Sequence, residues 1–407
     1  MVSKRSEFVE EIGRYAEGQS IVQMVESIVL YAHAQGVSDV HISPLERDLR
    51  VRMRIDGVLQ DVVVLPRSVH SEVISRLKIL SSLRTDEHQT AQDGRFRTQL
   101  ANSAGIDVRV SIVPTYYGEN AVLRVLADKA EEFTLESLDF TPDNREKIER
   151  AIKKPYGMIL ATGPTGSGKT TNLYTLVKML NNPGASILTI EDPVEYAIAG
   201  INQIQVNTRT GLTFAHGLRS MLRQDPNIIM VGEIRDIETA GLAVNVALTG
   251  HLVLSTLHTN DAPTTLPRLL DMKVEPYLIA STVNIVVGQR LLRRICKHCK
   301  QERLLTSAEK KSLSGVVSEK LLSTHTSFFV GAGCDECSST GYRGRVGVHE
   351  VMEVGAAVRE AILKKVSASE LRDIAIKEGM LPMFIDGFTK AAAGLTTIAE
   401  VLRMQYE

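Results

Sequence analysis

The chain has 407 residues, 43% of them hydrophobic, which is enough for two or three domains with cores of their own. With 47 basic and 48 acidic residues and no Trp, it has neither the basic excess nor the stacking platforms of a general nucleic-acid binder. No apolar run approaches the roughly 20 residues that span a bilayer, and the first ten residues lack the apolar core of a secretory signal, so a cytoplasmic protein is expected.

Residues 7 to 36 read as helix, with Ile21, Val22, Val25, Ile28, Val29 and Ala32 at helical spacing and Gly36 as the stop. Leu49 to Ile55 then alternates strictly, with Leu49, Val51, Met53 and Ile55 on one face and Arg50, Arg52 and Arg54 on the other. That is a half-buried strand turning at Asp56-Gly57 into a second strand over 58–64. A helix follows Pro66. Three more strands are expected near 95–100, 106–113 and 120–126, with turns at Gly105 and Gly118. Together these predict a compact α+β domain over 1–130. A charged linker (131–145) leads to a helix capped at Thr141-Pro142.

From Gly157 the pattern changes. Short continuous apolar runs, 158–161, 187–190, 228–231 and 252–255, alternate with helical stretches, which predicts a buried parallel sheet in an α/β domain over 146–290. Residues 300–326 are charged and Ser-rich and read as an insertion inside a subdomain over 291–350. The last 40 residues, within 351–407, read as helices.

A phosphate-loop motif, Gly163-Pro164-Thr165-Gly166-Ser167-Gly168-Lys169-Thr170, lies between an apolar strand and a helix that opens through Thr171. That context is what a phosphate-binding loop requires. Glycines let backbone N–H groups turn toward a phosphate, and the helix N-terminus adds partial positive charge. Lys169 is expected on the β- and γ-phosphates of ATP and the Thr170 hydroxyl on Mg²⁺.

Phosphoryl transfer to water also needs a group that orients the water. The end of the second core strand supplies Glu191, Asp192 and Glu195. A Walker B-like strand, 228–231, ends in Gly232-Glu233, with Gly232 where many P-loop enzymes carry the Asp that holds Mg²⁺. Glu233 is therefore expected as the water-orienting base, with Glu195 as its rival. A further strand ends at His258, a candidate γ-phosphate sensor; His251 has a structural alternative. All lie at carboxyl ends of core strands, where α/β sheets bind ligands.

These residues resemble the secretion ATPases that drive type II secretion and type IV pilus assembly. Four signatures carry the resemblance, from about residue 20 to near the end: the loop at 163–170; an Asp box, Thr189 to Tyr196; a Walker B region, Asp225 to Asp236; and a His box, Gly250-His251 to His258-Thr259. Ser38 to Ile42, Arg54 to Gly57 and Gln92-Asp93-Gly94-Arg95 match the family's amino-terminal part. The resemblance implies a RecA-like P-loop ATPase domain preceded by a PAS-like domain that closes over nucleotide. It assigns Arg109 and Arg124 to the phosphates through that domain, with Arg219 and Arg223 as a second pair. An arginine fork suits a phosphate bidentately and is always charged.

Cys296-x-x-Cys299 and Cys334-x-x-Cys337 form two knuckles suited to one tetrahedral Zn²⁺, with His298 as a spare ligand. In the family, a tetracysteine zinc subdomain marks the assembly branch and argues against a pilus-retraction motor. The resemblance further implies a homo-hexamer, peripherally bound at the inner membrane, acting on a polytopic platform protein and not on nucleic acid. Most assembly members carry an additional amino-terminal domain. Here the PAS-like pattern begins almost at once, so that domain is expected to be absent. The rival readings are a retraction ATPase, a RecA-like nucleic-acid translocase, and a scaffold that binds ATP without turning it over.

Overall fold

A computed structural model describes residues 4–18, 20–99, 105–126, 133–325 and 327–405. The first two residues of the expected linker, 131 and 132, lie outside the described residues. Contacts divide the chain into two compact units. The first holds residues 1–131 together with 295–301 and 331–344; the second holds 132–294, 302–330 and 345–407.

The amino-terminal unit runs α1 (Lys4–Glu17), α2 (Ile21–Ala34), β1 (Asp39–Pro44), β2 (Asp48–Ile55), β3 (Val58–Pro66), α3 (His70–Leu80), β4 (Gln92–Gln99), β5 (Gly105–Thr115) and β6 (Gly118–Leu126). The single helix expected over 7–36 is two, because α1 closes near Gly18 and α2 restarts after Ser20. The strands form one antiparallel sheet in the order β3-β2-β1-β6-β5-β4. Leu49, Val51 and Met53 are fully buried, as their alternation requires, and they join Ile12, Met24, Ile28 and Leu77 from the helices in one core. Asp56 and Gly57 both have left-handed φ (49° and 86°), the backbone of a two-residue hairpin turn whose twist matches its strands.

The carboxyl-terminal unit is built on a seven-stranded sheet in the order β15-β12-β7-β11-β10-β8-β9. Its elements are α4 (Pro142–Ile152), β7 (Gly157–Thr162), α5 (Lys169–Leu180), β8 (Ile187–Glu191), β9 (Asn202–Gln205), α6 (Phe214–Met221), β10 (Ile228–Val231), α7 (Ile237–Leu248), β11 (Leu252–Leu257), α8 (Ala262–Asp271), α9 (Pro276–Thr282) and β12 (Val283–Ile295). They continue with β13 (Lys300–Leu304), α10 (Ser307–Leu313), α11 (Glu319–Thr324), β14 (Ser327–Gly331), β15 (Tyr342–Glu353), α12 (Ala356–Leu363), α13 (Ala368–Lys377), α14 (Met383–Ala392) and α15 (Ile398–Arg403). The pairs β12–β7, β7–β11, β11–β10, β10–β8 and β8–β9 are parallel. Met158 and Leu160 face one core and Ile159 and Ala161 another, so β7 is buried on both sides and reads as a continuous apolar run. Thr141 caps α4 by accepting from the Asn144 N–H, with Pro142 in its first turn. The Ser-rich stretch is structured: β13 pairs with β14, and Leu313, Val317 and Phe328 pack with Phe388 and Val401.

Candidate active site and metal site

The loop after β7 has the backbone its glycines allow. Gly163 and Gly168 have φ of 144° and 89°, and a Cβ on either would run into Gln289 of β12. Lys169, 8% exposed, donates from Nζ to the carbonyls of Gly163 (2.8 Å) and Pro164 (2.9 Å). Burial pushes its ammonium pKa down, opposed by the charge of Glu233. Ser167 Oγ is buried without a hydrogen-bond partner, a polar atom available to an incoming phosphate. Thr170 lies exposed in the first turn of α5, where its hydroxyl is open to a metal beside that phosphate.

The Walker B-like strand is β10. Gly232 donates to Ile190 O (2.8 Å), Ile234 donates to Thr256 O (2.9 Å) and Thr256 Oγ1 donates to Gly232 O (2.8 Å), so the segment is fixed between the ends of β8 and β11. A Cβ on Gly232 would sit 3.3 Å from Glu191 Cα and from Ile190 O. The close approach of β8 gives a physical reason for glycine where other P-loop enzymes carry Asp.

Glu233 is mostly buried and doubly held. Arg235 Nε lies 2.7 Å and His258 Nε2 3.0 Å from its Oε2. The two candidates from separate strands therefore meet, and the Lys169 ammonium feels the same carboxylate. His251 takes the structural alternative, bonding through Nδ1 to Val246 O (3.1 Å). Glu195, half-buried in the loop after β8, donates its backbone N–H to Tyr174 Oη (3.2 Å). Arg219 and Arg223 extend from α6 and the turn after it. Arg219 pairs with Glu238 (2.5 Å), and Arg223 donates to Arg219 O and Ser220 Oγ (both 3.3 Å).

In the amino-terminal unit Arg109 stands opposite Arg124, and the register extends the row. Arg95 faces Arg109 on one side, while Asp39 faces Arg124 on the other and is itself opposite Arg54. Directly opposite residues share a sheet face, so Arg54, Asp39, Arg124, Arg109 and Arg95 form one row across five strands, with the carboxylate between Arg54 and Arg124. Asp39 ties Arg124 (3.2 Å) and Arg54 (3.5 Å). Arg95, Arg109 and Arg124 are like charges directly opposite one another, an arrangement that an anion would relieve. Arg95, Arg54, Arg235, Tyr174 and Gln289 were not singled out by the sequence as site residues. Strand parity would have added Arg95, which lies in the Gln92 to Arg95 signature.

The four cysteines converge among themselves, without His298, and all four Sγ atoms lie within 4.8 Å of one another. Sulfur–sulfur distances of 3.8 Å (Cys296–Cys334), 3.9 Å (Cys299–Cys337) and 3.7 Å (Cys334–Cys337) match the edge of about 3.8 Å for a tetrahedron with Zn–S near 2.3 Å. Backbone N–H groups of Gly333 and Gly341 point at Cys299 and Cys337 Sγ (3.3 Å each), as suits thiolates. The donor set fits one structural zinc.

A phosphate loop on an interior strand of a largely parallel sheet, with a carboxylate at a nearby strand end, defines a P-loop nucleotide hydrolase of RecA-like fold. A family model described as "Type II/IV secretion system protein" matches residues 15–403. The chain is 43% identical over 402 residues to a type IV pilus assembly ATPase, PilB, of Myxococcus xanthus, covering 99% of this chain and 71% of that protein. It is 41% identical over 398 residues to the type II secretion system ATPase E of Vibrio cholerae, covering 98% and 78%. The solved structure of the ATPase DotB of Legionella pneumophila shares the fold, with a TM-score of 0.69 at 21% identity over 94% of this chain and 95% of that one. The chain belongs to the type II/IV secretion system protein family, and it is an ATPase.

Proposed function

We propose that the chain is a Mg²⁺-dependent motor that hydrolyses ATP to power type IV pilus assembly or type II secretion. The grip of Arg235 and His258 on Glu233, beside the phosphate-loop lysine, carries this reading. ATP lies along residues 163–171, with Lys169 on its β- and γ-phosphates and Thr170 as the protein ligand to Mg²⁺. Glu233 orients a water and takes its proton as the water oxygen bonds to the γ-phosphorus and the bond to the β-phosphate oxygen breaks, giving ADP and phosphate. Glu195 is the rival for that role. Arg109 and Arg124 of the amino-terminal unit, and Arg219 and Arg223 of α6 and its following turn, neutralise charge on the transferred oxygens. Bound at Cys296, Cys299, Cys334 and Cys337, zinc would hold the knuckle's fold, and the cluster weighs for the assembly branch over retraction.

The working form is a homo-hexamer at the cytoplasmic face of the inner membrane, turning domain motion into work on a polytopic platform protein. Among the described residues no helix is long and apolar enough to cross a membrane, which fits peripheral attachment. The relatives' names, pilus assembly and type II secretion ATPases, support this load. The test is Glu233→Gln. It should leave ATP-analogue binding intact and lower steady-state phosphate release by about 10²-fold or more. Surviving turnover would remove Glu233 as the base.

A further inference from the structure

The Tyr174 side chain is fully buried on α5, the helix that begins with Lys169 and Thr170. Its hydroxyl donates to Glu191 Oε2 at the end of β8. It accepts from the Glu195 backbone N–H (3.2 Å) and from Gln203 Nε2 (3.4 Å) on the edge strand β9. The Gln203 amide has two hydrogens for three acceptors and its approach to Tyr174 is the longest, so the Glu195 N–H is the hydroxyl's principal donor. Glu191, 3% exposed, is held in turn by Thr189 Oγ1 (2.5 Å) and Gln203 Nε2 (3.2 Å). Gln203 also ties the far side of the loop, donating to Tyr196 O (3.1 Å) and accepting from Ile198 N (2.7 Å). The Tyr196 ring packs edge-on against Tyr174, with centroids 4.6 Å apart.

We infer that Tyr174 is a positioning residue for hydrolysis: its hydroxyl, oriented by the buried Glu191, fixes the Glu195 segment to the helix that carries the phosphate- and metal-binding side chains. A carboxylate on a loop can reach a reacting water only if the loop is registered to the phosphate loop, and a misplacement of about 1 Å can cost of the order of 10²-fold in rate. Here the Tyr174 hydroxyl on the phosphate-loop helix meets the backbone N–H of Glu195 itself, beside the ring contact of Tyr174 with Tyr196. A tyrosine needed for packing alone would serve as well without its oxygen, yet the oxygen is the atom that meets Glu195. Burial raises the Glu191 carboxyl pKa against its three donors, as befits a group retained to orient a neighbour and not to exchange protons with solvent.

The inference rests on Glu195 taking part in turnover, so the test is a double-mutant cycle in the full chain: Tyr174→Phe, Glu195→Gln and both, each assayed for kcat and KM with Mg-ATP and for melting temperature. Tyr174→Phe keeps the ring and its contact with Tyr196. It should lower kcat about tenfold with KM within about twofold, and should cost nothing further in the Glu195→Gln background. A lowered melting temperature with unchanged kcat would mean that Tyr174 is structural only and would overturn the inference while leaving Glu195 in place. Unchanged kcat in Glu195→Gln would remove Glu195 from the chemistry and the inference with it. Additive losses would show that Tyr174 acts by another route. If Tyr174→Phe does not fold, Gln203→Met loosens the same loop from an edge strand. It should also lower kcat with KM held, and an unchanged kcat there overturns the inference.

Discussion

Glu233 is the residue on which the proposed chemistry turns, and its neighbours explain how a lone acid after a glycine can be aimed. Two cationic or donor groups grip the same oxygen, Arg235 from the following turn and His258 from the end of the adjacent strand. His258 is 42% exposed, so its ring is open to solvent on the side away from the carboxylate. Removing it leaves Glu233 with Arg235 alone and free to rotate. His258→Ala should lower kcat about tenfold while ATP-analogue affinity stays within about twofold, and His258→Gln, which keeps a donor, should recover part of the loss. Equal losses in kcat/KM and binding affinity, with kcat unchanged, would instead make His258 a binding residue. The sequence showed both partners of this pair because each sits inside a short motif at a strand end. Tyr174 with Glu195, or Gln289 with the phosphate loop, could not be read the same way. Asn172 and Gln289 bond across 117 residues of chain, and no local pattern records a contact of that span.

At the scale of elements, legibility followed burial. The four core strands announced themselves because they are apolar on both faces. The edge strand β9, Asn202–Gln205, carries no such run, and β12 mixes Gln289, Arg290, Arg293 and Arg294 into its apolar stretch, so its period matches neither template. The arginine row needed the register of β2, β1, β6, β5 and β4, which no single strand's pattern records. A second element-level feature also escaped the periodicity argument. Lys78, wholly buried on α3, pairs with Glu119 of β6 (2.6 Å), which also meets His88 Nδ1 (2.7 Å). Burial raises the Glu119 carboxyl pKa, but the Lys78 and His88 partners outweigh it and hold the group below the ordinary glutamate value. The sign follows: the stability this carboxylate contributes is present above the unfolded glutamate pKa and is lost as pH falls through the lower folded value. Lys78→Met strands a buried charge and should cost about 3–5 kcal/mol, read as lost hydrogen-exchange protection of β1 and β6. Adding Glu119→Leu should restore much of it. No recovery would mean that Lys78 acts through packing of its stem.

For the whole molecule, the informative feature is where the cysteine knuckle belongs. Sequence spacing makes it a subdomain between halves of the ATPase domain, yet residues 295–301 and 331–344 group with the amino-terminal unit. One contact there is explicit: the Gly344 N–H donates to Asp56 Oδ2 (2.8 Å), and Asp56 is a left-handed residue of the β2–β3 hairpin. A metal bound at the four sulfurs would hold Cys337, which receives the Gly341 N–H, three residues before the Gly344 that meets Asp56. Purified protein should contain about one zinc per chain by elemental analysis, and Cys334→Ser should lower that toward zero. Stripping the metal with a chelator should raise hydrogen exchange in residues 331–344 and at the Asp56-Gly57 turn, while α5 and β7 keep their protection. Exchange that rises in the knuckle but not at the turn would make the Asp56 contact incidental to the metal. A zinc content of zero in folded, active protein would remove the metal altogether.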